Sequence, residues 1–174
     1  ERGMKNVRLD IDILGTANIP INEVVSKFLK IRRYASMKNI EIPGFWLRPT
    51  ENLNESTIEK HIAFCGATRG NSMCVNPSGK IFSCGYSSEE IGSIYNYGSN
   101  SFPEKKYIDF VKRNFTGNKE LCRDCMIEGQ CNGGCNITIE FSSKNESSNI
   151  DRMCEFYRRI TKEILLEQLH KTIT

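Results

Sequence analysis

Cys122-Arg123-Asp124-Cys125-Met126-Ile127-Glu128-Gly129-Gln130-Cys131-Asn132-Gly133-Gly134-Cys135 holds four of the chain's eight cysteines within fourteen residues, at spacings C-x2-C-x5-C-x3-C. Short C-x2-C steps let two sulfurs point at one centre from a single turn, as zinc ribbons and iron–sulfur loops require. A disulfide demands a particular Cα separation and dihedral, which neighbouring cysteines in one loop meet only with strain. Gly133 and Gly134 supply backbone that can take positive φ and approach inorganic sulfide closely enough to donate N–H bonds. The stretch speaks for a metal centre, zinc or iron, ahead of disulfides.

The composition agrees. At 174 residues the chain is one domain, or a small domain with a piece of another. A chain of this size hides roughly 70% of its unfolded surface, so it needs no covalent staples to make a core. Eight cysteines among 174 residues also fall short of the density of a small disulfide scaffold. The net charge of +3 is mild and its basic residues are spread out, which argues against nucleic acid as a partner. No apolar run reaches membrane-spanning length and no signal peptide is visible, so no membrane association is expected. Sequons at Asn54, Asn114, Asn136 and Asn145 would suggest glycosylation in a secreted protein. In a chain rich in Asn, Ser and Thr they are expected by chance, and Asn136 adjoins Cys135. The expected setting is a reducing cytoplasm, where thiolates survive to bind metal.

Upstream, Val7, Leu9, Ile11 and Ile13 alternate with polar residues, the pattern of a strand with one covered face. Helical spacing follows from Asn22, a plausible N-cap, through Val24, Val25, Phe28, Leu29, Ile31, Tyr34 and Ala35. Ile40 to Pro43 reads as a second short strand, which makes a βαβ unit. Because parallel strands need cover on both faces, this unit is expected to be the tail of a larger α/β domain. Arg48 to Lys60 reads as a polar connection with one helical turn from Ser56. Asn76-Pro77-Ser78-Gly79 is a turn between β-leaning runs at Met73–Val75 and Lys80–Ser83, a hairpin with Cys74 and Cys84 on its arms. Gly85 to Ser101 shows little regular pattern. An amphipathic helix is expected from Pro103 to Phe115, ended by Gly117. Ile137 to Phe141 reads as a short strand, Ser142 to Ser148 as a loop, and a last helix starts at Asp151, opened by Cys154.

End to end, the cysteines form C-x13-G-x4-C, a gap, C-x2-C-x5-C-x3-C, a gap, and C, carried by Cys65, Gly79, Cys84, Cys122, Cys125, Cys131, Cys135 and Cys154. This pattern resembles the SPASM domain, the C-terminal extension of radical S-adenosylmethionine (SAM) enzymes that mature peptides and proteins. The resemblance implies an α+β fold: a small cysteine-rich domain with a β-hairpin, irregular cluster-binding loops and flanking helices. A βαβ remnant of a partial (β/α)6 barrel would precede it. The implied organisation is residues 1–48 as the end of the barrel, 49–64 as linker, 65–154 as the two-cluster domain and 155–174 as a C-terminal helix.

The resemblance also implies two auxiliary 4Fe-4S clusters with interleaved ligands. The first would take Cys65, Cys84 and Cys135, with Cys74 the candidate for its variable fourth ligand; the second would take Cys122, Cys125, Cys131 and Cys154. Implied partners are a precursor peptide or protein substrate and the radical SAM barrel of the parent chain. The motif C-x3-C-x2-C, which would bind S-adenosylmethionine through a third 4Fe-4S cluster, is missing: Cys131-x3-Cys135 meets Thr138 where the third cysteine belongs. The chain is therefore not expected to be catalytic alone. The competing reading is a structural module holding two zinc ions, each on four thiolates; a third is a secreted disulfide protein. His61 reads as a capping or exposed histidine rather than a ligand, Phe45 and Trp46 as core, and Arg32-Arg33, Lys105-Lys106 and Arg158-Arg159 as solvated helix faces.

Overall fold

Helix α1 (Ile21–Met37) runs without an internal glycine or proline and follows Pro20, whose fixed φ suits the entry to a helix. Asn22 is therefore inside the first turn and not at the N-cap; its side-chain oxygen accepts a hydrogen bond from Arg159. The helix stops in a Schellman-type cap. Asn39 takes φ of 53°, its N–H bonds the Ser36 carbonyl, and the Ile40 N–H reaches back to the Ala35 carbonyl at 2.9 Å. That cap throws residues 40–43 alongside residues 5–9. Val7 N–H bonds the Glu41 carbonyl at 2.9 Å and Leu9 N–H bonds that of Pro43 at 3.0 Å, a short parallel pairing.

The computed structural model describes residues 3–54, 62–100, 103–145 and 148–173. The turn expected from Ser56 and the reading of His61 lie outside them. By its internal contacts the chain divides into one unit made of residues 1–56 with 145–174, and another made of residues 57–144. The division differs from the expected span of 65–154, because the last helix packs on the first.

In the first unit, α2 (Arg48–Asn54) occupies what reads as linker; Pro49 is tolerated there because it lies in the first turn. The last helix, here α7 (Ser148–Ile173), starts three residues earlier than expected, so Cys154 stands in its second turn. Met153, Phe156, Tyr157, Ile160 and Ile164 form its buried stripe. Phe28 of α1 meets Phe156 at 5.2 Å and Trp46 at 5.5 Å, both edge to face. Arg152 donates to the Thr16 and Ile19 carbonyls, at 2.6 and 2.5 Å. Arg32 and Arg33 are not simply solvated, since both pair with Glu167. Phe45 sits against the guanidinium groups of Arg8 and Arg48, 4.7 and 4.8 Å from its ring centroid.

The second unit starts with α3 (Gly66–Arg69) and the hairpin of β1 (Cys74–Val75) and β2 (Lys80–Phe82), antiparallel with Cys74 opposite Phe82. The hairpin forms where the turn sequence predicts it: the Asn76 carboxamide oxygen accepts N–H bonds from Ser78 and Lys80, and Gly79 takes φ of 79°. A third strand, β3 (Glu90–Ser93), pairs antiparallel with β2 within a stretch that reads as irregular. Its one large apolar side chain, Ile91, is buried, too little for a visible alternation. Helix α4 (Glu104–Arg113) has Phe110 inward, and the Tyr107 hydroxyl donates to the Gly70 carbonyl at 2.7 Å. Asn114, in one of the sequons, is 1% exposed and bonds back to the Phe110 carbonyl, so it offers no acceptor for a glycan.

After α5 (Glu128–Cys131), residues expected as a strand and loop form a helix, α6 (Asn136–Asn145). Ile137, Thr138 and Ile139 favour strand by propensity, but among the described side chains the buried ones are Thr138 and Ser142, one helical turn apart. The Ser142 hydroxyl bonds the Thr138 carbonyl at 2.6 Å.

Candidate metal centre

No disulfide joins any of the eight cysteines. Cys65 stands at the start of α3, where its N–H bonds the Thr68 hydroxyl at 3.0 Å and its sulfur lies 3.6 Å from the same oxygen. Cys84 follows β2 by two residues. The Cys74 sulfur lies 3.6 Å from where a Cβ on Gly85 would stand, so the exposed hairpin thiol turns back toward the Cys84 segment. Cys135 leads into α6. Five residues along that helix, Glu140 accepts the Ser88 N–H at 2.8 Å and the Ser87 hydroxyl at 3.0 Å, which ties the helix after Cys135 to the segment after Cys84.

Electrostatics links these four. Burial pushes the Cys84 thiol above its ordinary pKa, a hydrogen bond with the Tyr86 backbone opposes the shift, and Cys135, Cys65 and Cys74 each add to the rise. Thiols from three separate parts of the sequence therefore lie within electrostatic reach of Cys84.

Of the second expected set, Cys122, Cys125 and Cys131 lie in one unit and Cys154 in the other. Cys122 is buried and closes a 3-10 turn at Glu120–Cys122. Cys125 bonds the Cys122 carbonyl through its N–H at 3.0 Å, and Cys131 ends α5 with its N–H on the Ile127 carbonyl at 2.7 Å. Asn132, Gly133 and Gly134 then take φ of 59°, 79° and 66°, three left-handed residues in a row that turn the chain from Cys131 toward Cys135. The Asn132 side chain is buried and accepts a bond from the Thr116 hydroxyl at 2.9 Å. Cys154 belongs to the other unit, on α7.

Lys119 carries no signal in the sequence, since lysine is ordinarily exposed. Here it is 9% exposed, its ammonium donating to the Gly133 carbonyl at 3.2 Å. Burial draws its pKa below the ordinary value, while Cys122, Cys131, Cys135 and Cys65 act in the opposite direction. Glu140 is the other residue that sequence alone passes over.

Among the described residues no three Cys, His, Asp or Glu side chains converge where one metal ion could hold them all. No helix among them is long and apolar enough to cross a membrane.

No protein-family model matches the chain. It is similar to the radical SAM cyclopropyl synthase TigE of Paramaledivibacter caminithermalis, at 24% identity over 160 residues, covering 91% of this chain and 33% of that protein. The chain thus spans about a third of the relative's length. The similarity supports a connection to radical SAM enzymes.

Proposed function

We propose that the chain is the auxiliary iron–sulfur part of a radical SAM maturase acting on a ribosomally made peptide or protein. Cys65, Cys74, Cys84 and Cys135 would hold one 4Fe-4S cluster. Cys122, Cys125 and Cys131 would hold another, with Cys154 retained as its fourth ligand on the resemblance alone. The observation that carries this reading is the electrostatic reach of Cys84 to Cys65, Cys74 and Cys135, the thiols that the resemblance to the SPASM domain groups at one site. The similarity to a radical SAM enzyme over 91% of the chain supports the wider assignment.

The donor set fits such a group. Four thiolates on one zinc ion stand about 3.8 Å apart, from a Zn–S bond of about 2.3 Å and tetrahedral angles. A 4Fe-4S cluster gives each thiolate its own iron, so its sulfurs stand wider apart. Cys84 with three further thiols in its electrostatic reach makes a set of four cysteine donors, the number that such a cluster takes. Bound there, the clusters would supply one-electron relay chemistry or a fixed platform beside the substrate. The protein's part is to hold the thiols apart at fixed positions: Thr68 on Cys65, the hairpin on Cys74 and Cys84, and Glu140 behind Cys135. Radical generation is assigned to a barrel of the parent chain outside these 174 residues, since C-x3-C-x2-C does not occur in them.

Anaerobic purification with iron, sulfide and zinc counting tests the proposal. About eight irons and eight sulfides per chain are expected. The variant Cys65→Ala/Cys84→Ala should keep about half of each. Colourless protein with two zinc ions per chain would overturn it.

A further inference from the structure

Gly133 is the middle of the three left-handed residues between Cys131 and Cys135, and the Lys119 side chain runs directly against it. A Cβ on Gly133 would fall 2.5 Å from Lys119 Cδ and 3.2 Å from its Nζ, so the lysine occupies the space that a side chain at residue 133 would need. At its other end, the Lys119 carbonyl accepts the Cys122 N–H at 2.9 Å. One residue is thus anchored to the loop at Cys122 and, through its ammonium, to the turn that separates Cys131 from Cys135.

A buried ammonium is costly unless negative charge lies near it. The proposed ligands around it belong to both sets: its carbonyl holds the Cys122 N–H, and Gly133, whose carbonyl takes its ammonium, stands two residues from Cys131 of one set and two from Cys135 of the other. We propose that Lys119 is a counter-charge shared by the two sets, fixed between them to raise the reduction potential of the clusters they would hold. The inference rests on the two-cluster reading. Its sign follows from charge alone. An added electron makes a cluster more negative, so a fixed cation beside it stabilises the reduced form; net charge and burial are among the main determinants of cluster potential. Lys119 does not itself react. It is a positioning and electrostatic residue.

The experiment compares wild type, Lys119→Met and Lys119→Arg as full chains, anaerobically, by iron and sulfide counting and by dithionite titration followed by electron paramagnetic resonance. The wild-type count tests the two-cluster reading by itself; protein without iron–sulfur clusters overturns that reading and this inference with it. With clusters present in wild type, K119M should keep its iron while the ratio of reduced to oxidised cluster at a fixed potential falls about tenfold, or about 59 mV for a one-electron couple. K119R, still charged, should stay near wild type. Iron retained by K119R and lost from K119M would also support a requirement for charge. Unchanged potentials in iron-loaded K119M would overturn the inference. So would K119R behaving like K119M, whether both lose iron or both shift, since the requirement would then be for shape.

Discussion

Glu140 and Ser88 are joined through a carboxylate that accepts the Ser88 N–H at 2.8 Å, and the same carboxylate takes the Ser87 hydroxyl at 3.0 Å. The pair lies fifty-two residues apart in sequence and fastens the helix behind Cys135 to the segment behind Cys84. Hydrogen bonds to a charged acceptor stabilise more than neutral ones, though Ser88 is exposed and water competes. Glu140→Ala should cost about 1–2 kcal/mol in chemical denaturation of the metal-free chain. In the iron-loaded protein it should lower the iron content of the first set before that of the second. A variant with wild-type stability and iron would show that the clamp positions nothing.

Gly133 and Gly117 separate two costs. Both take positive φ, 79° and 88°, but a Cβ on Gly117 meets nothing within 4 Å whereas one on Gly133 runs into Lys119. Gly117→Ala should therefore lose only the backbone term, about 1–2 kcal/mol. Gly133→Ala should lose that and the cost of displacing a buried lysine as well, about 3 kcal/mol or more in total. Equal losses in urea denaturation would mean that the lysine stem moves aside freely.

The turn Asn76–Gly79 was legible because it acts locally: a proline, a glycine and an asparagine dictate one turn. The cysteine spacing speaks to which thiols could reach a common centre, and for the site it goes no further than that. Helix α6 was not, because Ile137, Thr138 and Ile139 lean to strand while the helical face is marked only by small polar residues, Thr138 and Ser142. Strand β3 was hidden for want of more than one buried apolar side chain. The pairing of α7 with α1 depends on contacts such as Phe28 with Phe156, 128 residues apart, which no periodicity reports. Lys119 and Glu140 come to lie beside the cysteine-bearing segments through burial and long-range hydrogen bonds, and neither leaves a trace in composition.

Tyr107 gives the fold an alkaline limit that can be measured. Its hydroxyl donates to the Gly70 carbonyl at 2.7 Å, and burial, followed by the nearby Tyr97 phenol, raises its pKa above the ordinary 10.0. The folded state thus favours the protonated phenol. Below the ordinary value both states are protonated and the contribution is complete; as pH rises past it the unfolded chain ionises first, and stability falls until the folded phenol ionises too. Tyr107→Phe should cost about 0.5–1 kcal/mol at neutral pH, discounted for partial exposure. The stability gap between wild type and variant should then narrow above pH 10.0. A gap constant with pH would show that the phenol titrates alike in both states.

Cys74 decides whether the first proposed site would be closed. It is the one exposed cysteine of the eight, on a two-residue strand, yet its sulfur turns toward Gly85 and adds to the rise in the Cys84 pKa. A thiol buried in the core as a small apolar group would instead be shielded from solvent, and its removal would cost packing energy. Exposure therefore predicts that Cys74→Ala changes the stability of the metal-free chain by less than about 0.5 kcal/mol. Its effect should fall on the metal centre, as altered spectra and iron content in the first set, with the signals of the second unchanged. Two intact clusters with wild-type spectra in Cys74→Ala would leave the first site with an open iron, able to bind substrate directly rather than only pass electrons.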